Sequence, residues 1–302
     1  MAREAEAGFV PLAGLSAREA MAAVTQRLDA AGIEGAARDS RLLLLEALAI
    51  SGTDLLREPE RRLSEEDGAR LDGFAARRAA REPVSRILSE RGFYGRTFRI
   101  SPATLDPRPC TETVVEAALE VAEAEGWRSK PIRILDVGTG SGALLVTLLA
   151  ELPLAIGVGT DISDAALGMA RENAERLGVA SRARFLNRHM LENVDGPFDI
   201  MVSNPPYIPT GDITSLEPEV KIFDPLAALD GGVDGLAFYR ELAGGLKRCV
   251  PEGWALLEVG AGQAAAVEAL FRRIGAPNAP QETRTWTDLG GHVRCVAVRT
   301  HC

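Results

Sequence analysis

The chain has 302 residues, of which 46% are hydrophobic and 25% charged, and a formal net charge of −9. Its length is about twice that of a usual domain, so two domains are expected, and its composition excludes collagen-like, coiled-coil and disordered chains. No apolar run approaches the roughly 18 residues of a membrane span, and MAREAEAGFV at the start lacks a basic region followed by an apolar block, so a cytoplasmic protein with no membrane partner is expected. Acidic and basic residues balance over 1–110, so the whole negative excess falls on 111–302. An acidic body repels phosphate backbones, which argues against a direct nucleic-acid partner.

In chain order, Ser16-Ala17-Arg18-Glu19 reads as a capping box before an apolar stripe at Ala20, Val24 and Leu28, with Gly32 as the stop. A Leu-rich helix is predicted from Asp39 to Ile50, closed by Ser51-Gly52, and a third from Ser64 to Arg81 with acids at its start. Residues 1–90 therefore read as a small helical bundle without chemistry of its own, a docking or scaffold module. Gly92 to Ile100 alternates like a hairpin and leads to Leu105-Asp106-Pro107-Arg108-Pro109, where the prolines forbid helix; residues 91–110 are predicted as the linker.

From residue 131 short apolar runs alternate with helical segments, the pattern of a parallel sheet covered by helices, so 111–302 is predicted as an α/β domain. Strands are predicted at Ile132–Val137, Ala155–Thr160, Ala183–Leu186, Phe198–Ser203, Trp254–Val259 and Val293–Val298, with helices at Ala143–Ala150, Ser163–Leu177, Gly235–Cys249 and Gln263–Ile274. The cysteines, Cys110, Cys249, Cys295 and Cys302, form no Cys-x-x-Cys pair, and histidines are few. No metal site is expected, and a hydrolase triad has few candidates.

Two motifs carry chemistry. Gly138-Thr139-Gly140-Ser141-Gly142 follows an apolar strand and opens a helix, so a ligand can approach the bare backbone and the free N–H groups of the helix start. The bland alternative is a tight turn. Gly138-x-Gly140-x-x-Ala143 also satisfies the dinucleotide fingerprint, so an NAD enzyme stays open at this point. Asp161, ending the next strand, either holds ribose hydroxyls or caps a helix.

The second motif is Asn204-Pro205-Pro206-Tyr207, at the end of the strand Phe198–Ser203. Proline restrains the residue before it, so the loop is stiff. The carbonyl before Pro206 is free of a regular ladder, and the Asn204 side-chain oxygen is a second acceptor. Two acceptors beside an aromatic ring suit a planar NH2 group, with Tyr207 stacking on its plane.

With both motifs present, the chain resembles S-adenosylmethionine-dependent methyltransferases that modify amino or amide nitrogen. Glu82-Pro83-Val84-Ser85-Arg86-Ile87-Leu88, Phe93-Tyr94-Gly95, Asp106-Pro107-Arg108-Pro109 with Thr111-Glu112, and Asp230-Gly231-Gly232 with Asp234-Gly235-Leu236 make it similar, from about residue 80 onward, to the HemK family of protein-(glutamine-N5) methyltransferases. The resemblance implies a Rossmann-like seven-strand methyltransferase domain behind the helical bundle, S-adenosyl-L-methionine as methyl donor with S-adenosyl-L-homocysteine as product, and the Gly-Gly-Gln loop of peptide chain release factors as substrate. It places the cofactor at Gly138, Thr139, Gly140, Ser141, Gly142, Asp161, Met190 and Asn204, and the glutamine amide at Asn204, Pro205, Pro206 and Tyr207. Asn204, Pro205 and Tyr207 are then the catalytic residues, and Phe93 and Arg108 lie near the cofactor. A monomer is expected. The alternatives are a glutamine methyltransferase of a ribosomal protein, an adenine-N6 DNA methyltransferase, and a noncatalytic cofactor-binding module. Two positions depart from the family pattern: Asn187-Arg188-His189-Met190 stands where an Asp and an aromatic residue are usual, and Cys110 replaces an acid.

Overall fold

The computed structural model describes residues 11–272 and 282–301. The expectations on MAREAEAGFV, on Cys302 and on a helix end at Ile274 lie outside them. The chain divides into two compact units, Met1–Ser89 and Glu90–Cys302, so the hairpin belongs to the second unit instead of standing between the two.

The first unit holds α1 (Ala17–Ala30), α2 (Ala36–Ala47), α3 (Gly52–Arg57), α4 (Glu65–Ala79) and α5 (Val84–Leu88). Three of these helices start alike. Ser16 with Glu19, Ser51 with Asp54, and Ser64 with Asp67 each close a reciprocal capping box, satisfying orphan N–H groups of the first turn. Ser51-Gly52 is thus the start of α3 and not only the end of α2: the Asp54 carboxylate accepts from Ser51 N at 3.0 Å. Leu28, Leu43, Leu44 and Leu71 are fully buried among these helices. The Arg78–Asp39 ion pair, at 2.8 Å, is buried beside them.

The second unit begins with the hairpin β1 (Glu90–Phe93) and β2 (Arg96–Arg99), turned by Tyr94 and Gly95, both at positive φ. It continues through α6 (Glu112–Ala124), β3 (Arg133–Val137), α7 (Ala143–Glu151), β4 (Ile156–Asp161), α8 (Asp164–Arg176), β5 (Ala183–Asn187) and β6 (Ile200–Ser203). After the one-turn helix α9 (Pro218–Lys221) come α10 (Ala237–Cys249), β7 (Gly253–Glu258), α11 (Ala264–Arg272), β8 (Thr283–Thr287) and β9 (Val293–Thr300). Helix α6 and strand β8 were not foreseen. The first lies in Ala- and Val-rich sequence directly behind Pro107 and Pro109, and a 3-10 turn at Pro109–Thr111 converts the stiff segment into helix. The second alternates Thr, Arg and Trp at a sheet edge, where one polar face is tolerated.

The seven strands run in the order β5-β4-β3-β6-β7-β9-β8. The first five are parallel; β9 is antiparallel to β7, and β8 to β9. Alternation within β3 sends Ile134 into the core shared with α6, α7 and α8, and Leu135 and Val137 into the core shared with α10 and α11. Both faces are therefore covered, as a parallel sheet requires. Among the described residues no helix is long and apolar enough to cross a membrane.

Asn173 of α8 is fully buried and binds three backbone groups. Its Oδ1 accepts from Arg99 N at 2.8 Å, and its Nδ2 donates to the carbonyls of Arg99 and Ser141, each at 2.9 Å. One side chain thus ties the hairpin to the turn after β3. Asn173→Ala should lower stability by about 2–4 kcal/mol, because it leaves buried backbone groups without partners; urea unfolding measures the loss.

Candidate active site

Strand order reverses between β3, whose successors step one way, and β6, which lies on its other side. Ligands bind at such a switch point, beyond the carboxyl ends of the strands. Register brings the two motifs together: Val137 pairs with Ser203, so Gly138 and Asn204 are the next residues on adjacent strands. The buried Ser203 hydroxyl donates to the Val137 carbonyl at 2.7 Å and fastens these ends.

A cavity of about 810 Å³ opens here. The turn after β3 contributes Gly138 to Ser141, the end of β4 contributes Asp161, and the loop after β5 contributes Met190. Leu105 and Pro107 line it from the segment before α6, and Asn204 and Pro206 from the end of β6. Gly138, Gly140 and Gly142 all have positive φ, but they do different things. A Cβ on Gly138 or Gly140 would meet nothing within 4 Å, whereas on Gly142 it would lie 3.2 Å from both Ala170 and Val146. Gly142 is thus a packing residue between helices, not part of the cavity wall.

Asp161 braces the turn. Its Oδ2 accepts from Gly140 N and its Oδ1 from Ser163 N, both at 2.9 Å. Ser163, not Asp161, caps α8, its hydroxyl accepting from Ala166 N. Each Asp161 oxygen keeps a further lone pair. Met190, at positive φ, is held by the Thr160 hydroxyl on its carbonyl at 3.2 Å. Asp136 is buried beside the turn and accepts from the Thr139 hydroxyl at 2.6 Å and from Leu145 N at 3.3 Å. Burial pushes its carboxyl up to about 7 against those bonds.

In the second motif, Asn204 Nδ2 donates to Thr111 Oγ1 at 3.2 Å. Among the described residues nothing donates to Asn204 Oδ1 or to the Pro205 carbonyl. Pro205 is buried under the loop, and the Tyr207 phenol turns to Glu258 Oε1 at 3.4 Å. Gln263 Nε2 holds the Tyr207 carbonyl at 2.9 Å. Burial, then the Glu258 carboxyl, holds the phenol above its ordinary range.

Phe93 does not line the cavity. It is buried edge-on to Phe98, ring centres 6.0 Å apart, because hairpin burial outweighs a solvent-facing position. Arg108 reaches Asp224 at 2.5 Å, and the Asp106 N–H reaches the same carboxylate at 3.3 Å. This ties the segment carrying Leu105 and Pro107 to the chain beyond α9. Sequence reasoning gave no role to Asp136 or Glu258, yet both show one signal: a lone acid inside an apolar strand, in Ile134-Leu135-Asp136-Val137 and Leu256-Leu257-Glu258-Val259.

A mostly parallel seven-stranded sheet, with an open glycine turn and Asn-Pro-Pro-Tyr side by side at its switch point, defines a Rossmann-like methyltransferase. Residues 19–88 match the PrmC N-terminal domain and residues 120–217 the methyltransferase small domain. The release factor glutamine methyltransferase of Bradyrhizobium diazoefficiens is 45% identical over 290 residues, 96% of each chain. That of Rhodospirillum rubrum is 47% identical over 274 residues, 90% of this chain and 82% of its own. The catalytic domain of hMettl16, solved with the MAT2A 3'UTR hairpin 6, is similar in fold alone, with a TM-score of 0.53 and 16% identity over 76% of this chain and 82% of that one. The chain belongs to the release factor glutamine methyltransferase family, the HemK/PrmC enzymes.

The two kinds of glycine separate in a stability measurement. Gly142→Ala should lose about 2–4 kcal/mol, from strained φ and crowding together. Gly138→Ala should lose only the backbone strain, about 1–2 kcal/mol. Equal losses in denaturant unfolding would contradict the packing role of Gly142.

Proposed function

We propose that the chain transfers a methyl group from S-adenosylmethionine to the side-chain amide nitrogen, N5, of the glutamine in the Gly-Gly-Gln motif of peptide chain release factors. The observation that carries this reading is the pair of acceptors, Asn204 Oδ1 and the Pro205 carbonyl, without donors of their own and one strand away from the open glycine turn. The names of the relatives support it.

The residues present fit the cofactor. The cavity has the volume of a small-molecule site. Gly138 and Gly140 admit a ligand against the backbone, with Thr139, Ser141 and Met190 around it, and Asp161 has lone pairs left for ribose hydroxyls. Asp136, buried and destabilised as an anion, gains from a cationic ligand. When bound, S-adenosylmethionine supplies an electrophilic methyl on its sulfonium and leaves as S-adenosylhomocysteine.

A glutamine amide is a poor nucleophile, because its lone pair is delocalised into the carbonyl. Asn204 and Pro205 accept the two N–H groups in the amide plane, which leaves the lone pair to face the methyl group across the switch point. Both acceptors strengthen their bonds as positive charge grows on nitrogen, so they stabilise the transition state more than the bound substrate. Tyr207, anchored at Glu258, offers its ring to the same charge. The methylated nitrogen then gives one proton to water.

Gly-Gly-Gln has almost no side chains for a pocket to read. The helical unit is therefore assigned a second surface of the release factor, and that remote contact positions the glutamine; its match to the PrmC N-terminal domain supports the assignment. Intact-mass analysis and peptide mapping of a release factor incubated with enzyme and S-adenosylmethionine test the reading. One methyl on the motif glutamine is expected, with an intact factor modified far faster than a short Gly-Gly-Gln peptide. A methyl elsewhere, or equal rates, would overturn it.

Two variants separate the roles. Asn204→Ala should cut turnover roughly a hundredfold or more while cofactor affinity stays within several-fold. Asp161→Ala should weaken cofactor binding by about 1.5–3 kcal/mol through lost charge-assisted hydrogen bonds, as calorimetry would show.

A further inference from the structure

Pro205 and Pro206 have no N–H groups, so the Asn-Pro-Pro-Tyr loop cannot be fastened along its own length. Among the described residues its main chain makes one hydrogen bond, at the Tyr207 carbonyl, from Gln263 Nε2 at 2.9 Å. The next residue continues the hold: Ile208 N donates to the Leu229 carbonyl at 3.1 Å, and the Ile208 carbonyl accepts from Gly231 N at 2.8 Å. The peptide group between Tyr207 and Ile208 is thus gripped on both sides, and Gln263 grips the half that belongs to the motif.

Gln263 is half-buried in the turn between β7 and α11 and does not line the cavity. Its Oε1 accepts from Gly260 N at 3.0 Å. A carbonyl only accepts and an N–H only donates, so these two partners leave the Gln263 amide a single orientation. Three glycines make room for the contact. A Cβ on Gly235 would lie 2.4 Å from the Tyr207 carbonyl oxygen and 2.6 Å from Gln263 Nε2. On Gly260 it would lie 2.6 Å from Gln263 Oε1 and 3.1 Å from Tyr207 Cδ2, and on Gly231 2.8 Å from Tyr207 Cα. The motifs Asp230-Gly231-Gly232 and Asp234-Gly235-Leu236 therefore carry glycine where main chain closes on Tyr207 and a side chain has no room.

We propose that Gln263 is a positioning residue for methyl transfer: bridging Gly260 and Tyr207, it sets the end of the Asn-Pro-Pro-Tyr loop so that the Pro205 carbonyl and the Tyr207 ring meet the substrate amide. This rests on the reading of that loop as the amide site. Consecutive prolines make the loop stiff, so a displacement at the Tyr207 carbonyl is carried to the Pro205 carbonyl instead of being absorbed between them. A misplacement of about 1 Å at reacting groups costs up to about a hundredfold in rate. The glycine turn keeps its own bond to Asp161, so cofactor binding does not depend on Gln263.

The test is steady-state kinetics of full-length Gln263→Ala and Gln263→Glu on an intact release factor, with calorimetric cofactor affinities and with Asn204→Ala as the control for the amide site. Gln263→Ala should lower kcat roughly tenfold near neutral pH, with KM for the release factor and cofactor affinity each within about threefold. Glutamate has the shape of glutamine and can still accept from Gly260 N, but as an anion it has no proton for the Tyr207 carbonyl, so Gln263→Glu should lose at least as much. Protonation supplies that proton. The kcat of Gln263→Glu divided by that of Gln263→Ala should therefore rise several-fold from about pH 8 to about pH 5, toward the ordinary carboxylate range. Asp136 and Glu258, which burial raises to about 7, titrate in both variants and cancel from the ratio, while Tyr207 and Cys110 stay protonated and Arg294 charged. A normal kcat in Gln263→Ala, a cofactor affinity that falls as far as kcat, or a flat ratio would overturn the proposal; if Gln263→Glu does not fold, the split between kcat and the cofactor affinity in Gln263→Ala decides. Near-normal turnover in Asn204→Ala would instead sink the reading of the loop, and the proposal with it.

Discussion

Parallel pairing is the constraint from which the rest of this site follows. Because β3, β4, β5, β6 and β7 run the same way, every one of them delivers its carboxyl end to one edge of the sheet. The glycine turn, Asp161, the segment ending at Met190, Asn204 and Glu258 come from five different strand ends spread over more than a hundred residues of sequence, yet they share that edge. No local feature of any one segment could assemble them. The ladder register does, and the Ser203 hydroxyl on the Val137 carbonyl closes it where both motifs begin.

Delivering polar residues to the end of a buried sheet has a cost, and the two acids show how it is met. Asp136 and Glu258 each lie in an apolar strand with carboxyls raised to about 7. Asp136 accepts from the Thr139 hydroxyl and the Leu145 N–H, so it shapes the turn that follows it. Glu258 receives Tyr207 and Cys110 and lies behind the Asn-Pro-Pro-Tyr loop. Each strand that carries a functional loop thus has, or borders, an acid that orders the loop from behind.

Much of this was legible in the sequence, and the rest was hidden for identifiable reasons. Six strands of the large sheet, the capping box of α1 and the acidic start of α4 follow from periodicity and cap chemistry, because those signals are local. Strand β8 was missed because a half-exposed edge strand lacks an apolar run, and α6 because two prolines immediately before it masked an Ala-Val pattern. At the site, the motifs themselves stood out. Their partners did not: the bonds from Asn204 to Thr111, from Arg108 to Asp224 and from Tyr207 to Glu258 join residues 93, 116 and 51 positions apart. The distinction between Gly142 and its two neighbours is likewise invisible before the packing of Ala170 is known.

Two asparagines show how a structural polar group differs from one free to act. Asn173 is fully buried and makes three bonds to main-chain groups, using its oxygen and both hydrogens of its amide nitrogen. It has little left to offer, and a ligand could bind it only by displacing bonds already made. Asn204 is half-buried and makes a single bond, through nitrogen, to Thr111. Its oxygen remains unspent at the mouth of the glycine turn, beside a proline carbonyl in the same condition. An acceptor that no group of the chain engages, on the wall of an open cavity, can take a ligand's donor without displacing a bond made within the protein. A planar NH2 group, with two hydrogens in one plane and a lone pair across it, matches two such acceptors held side by side by consecutive prolines.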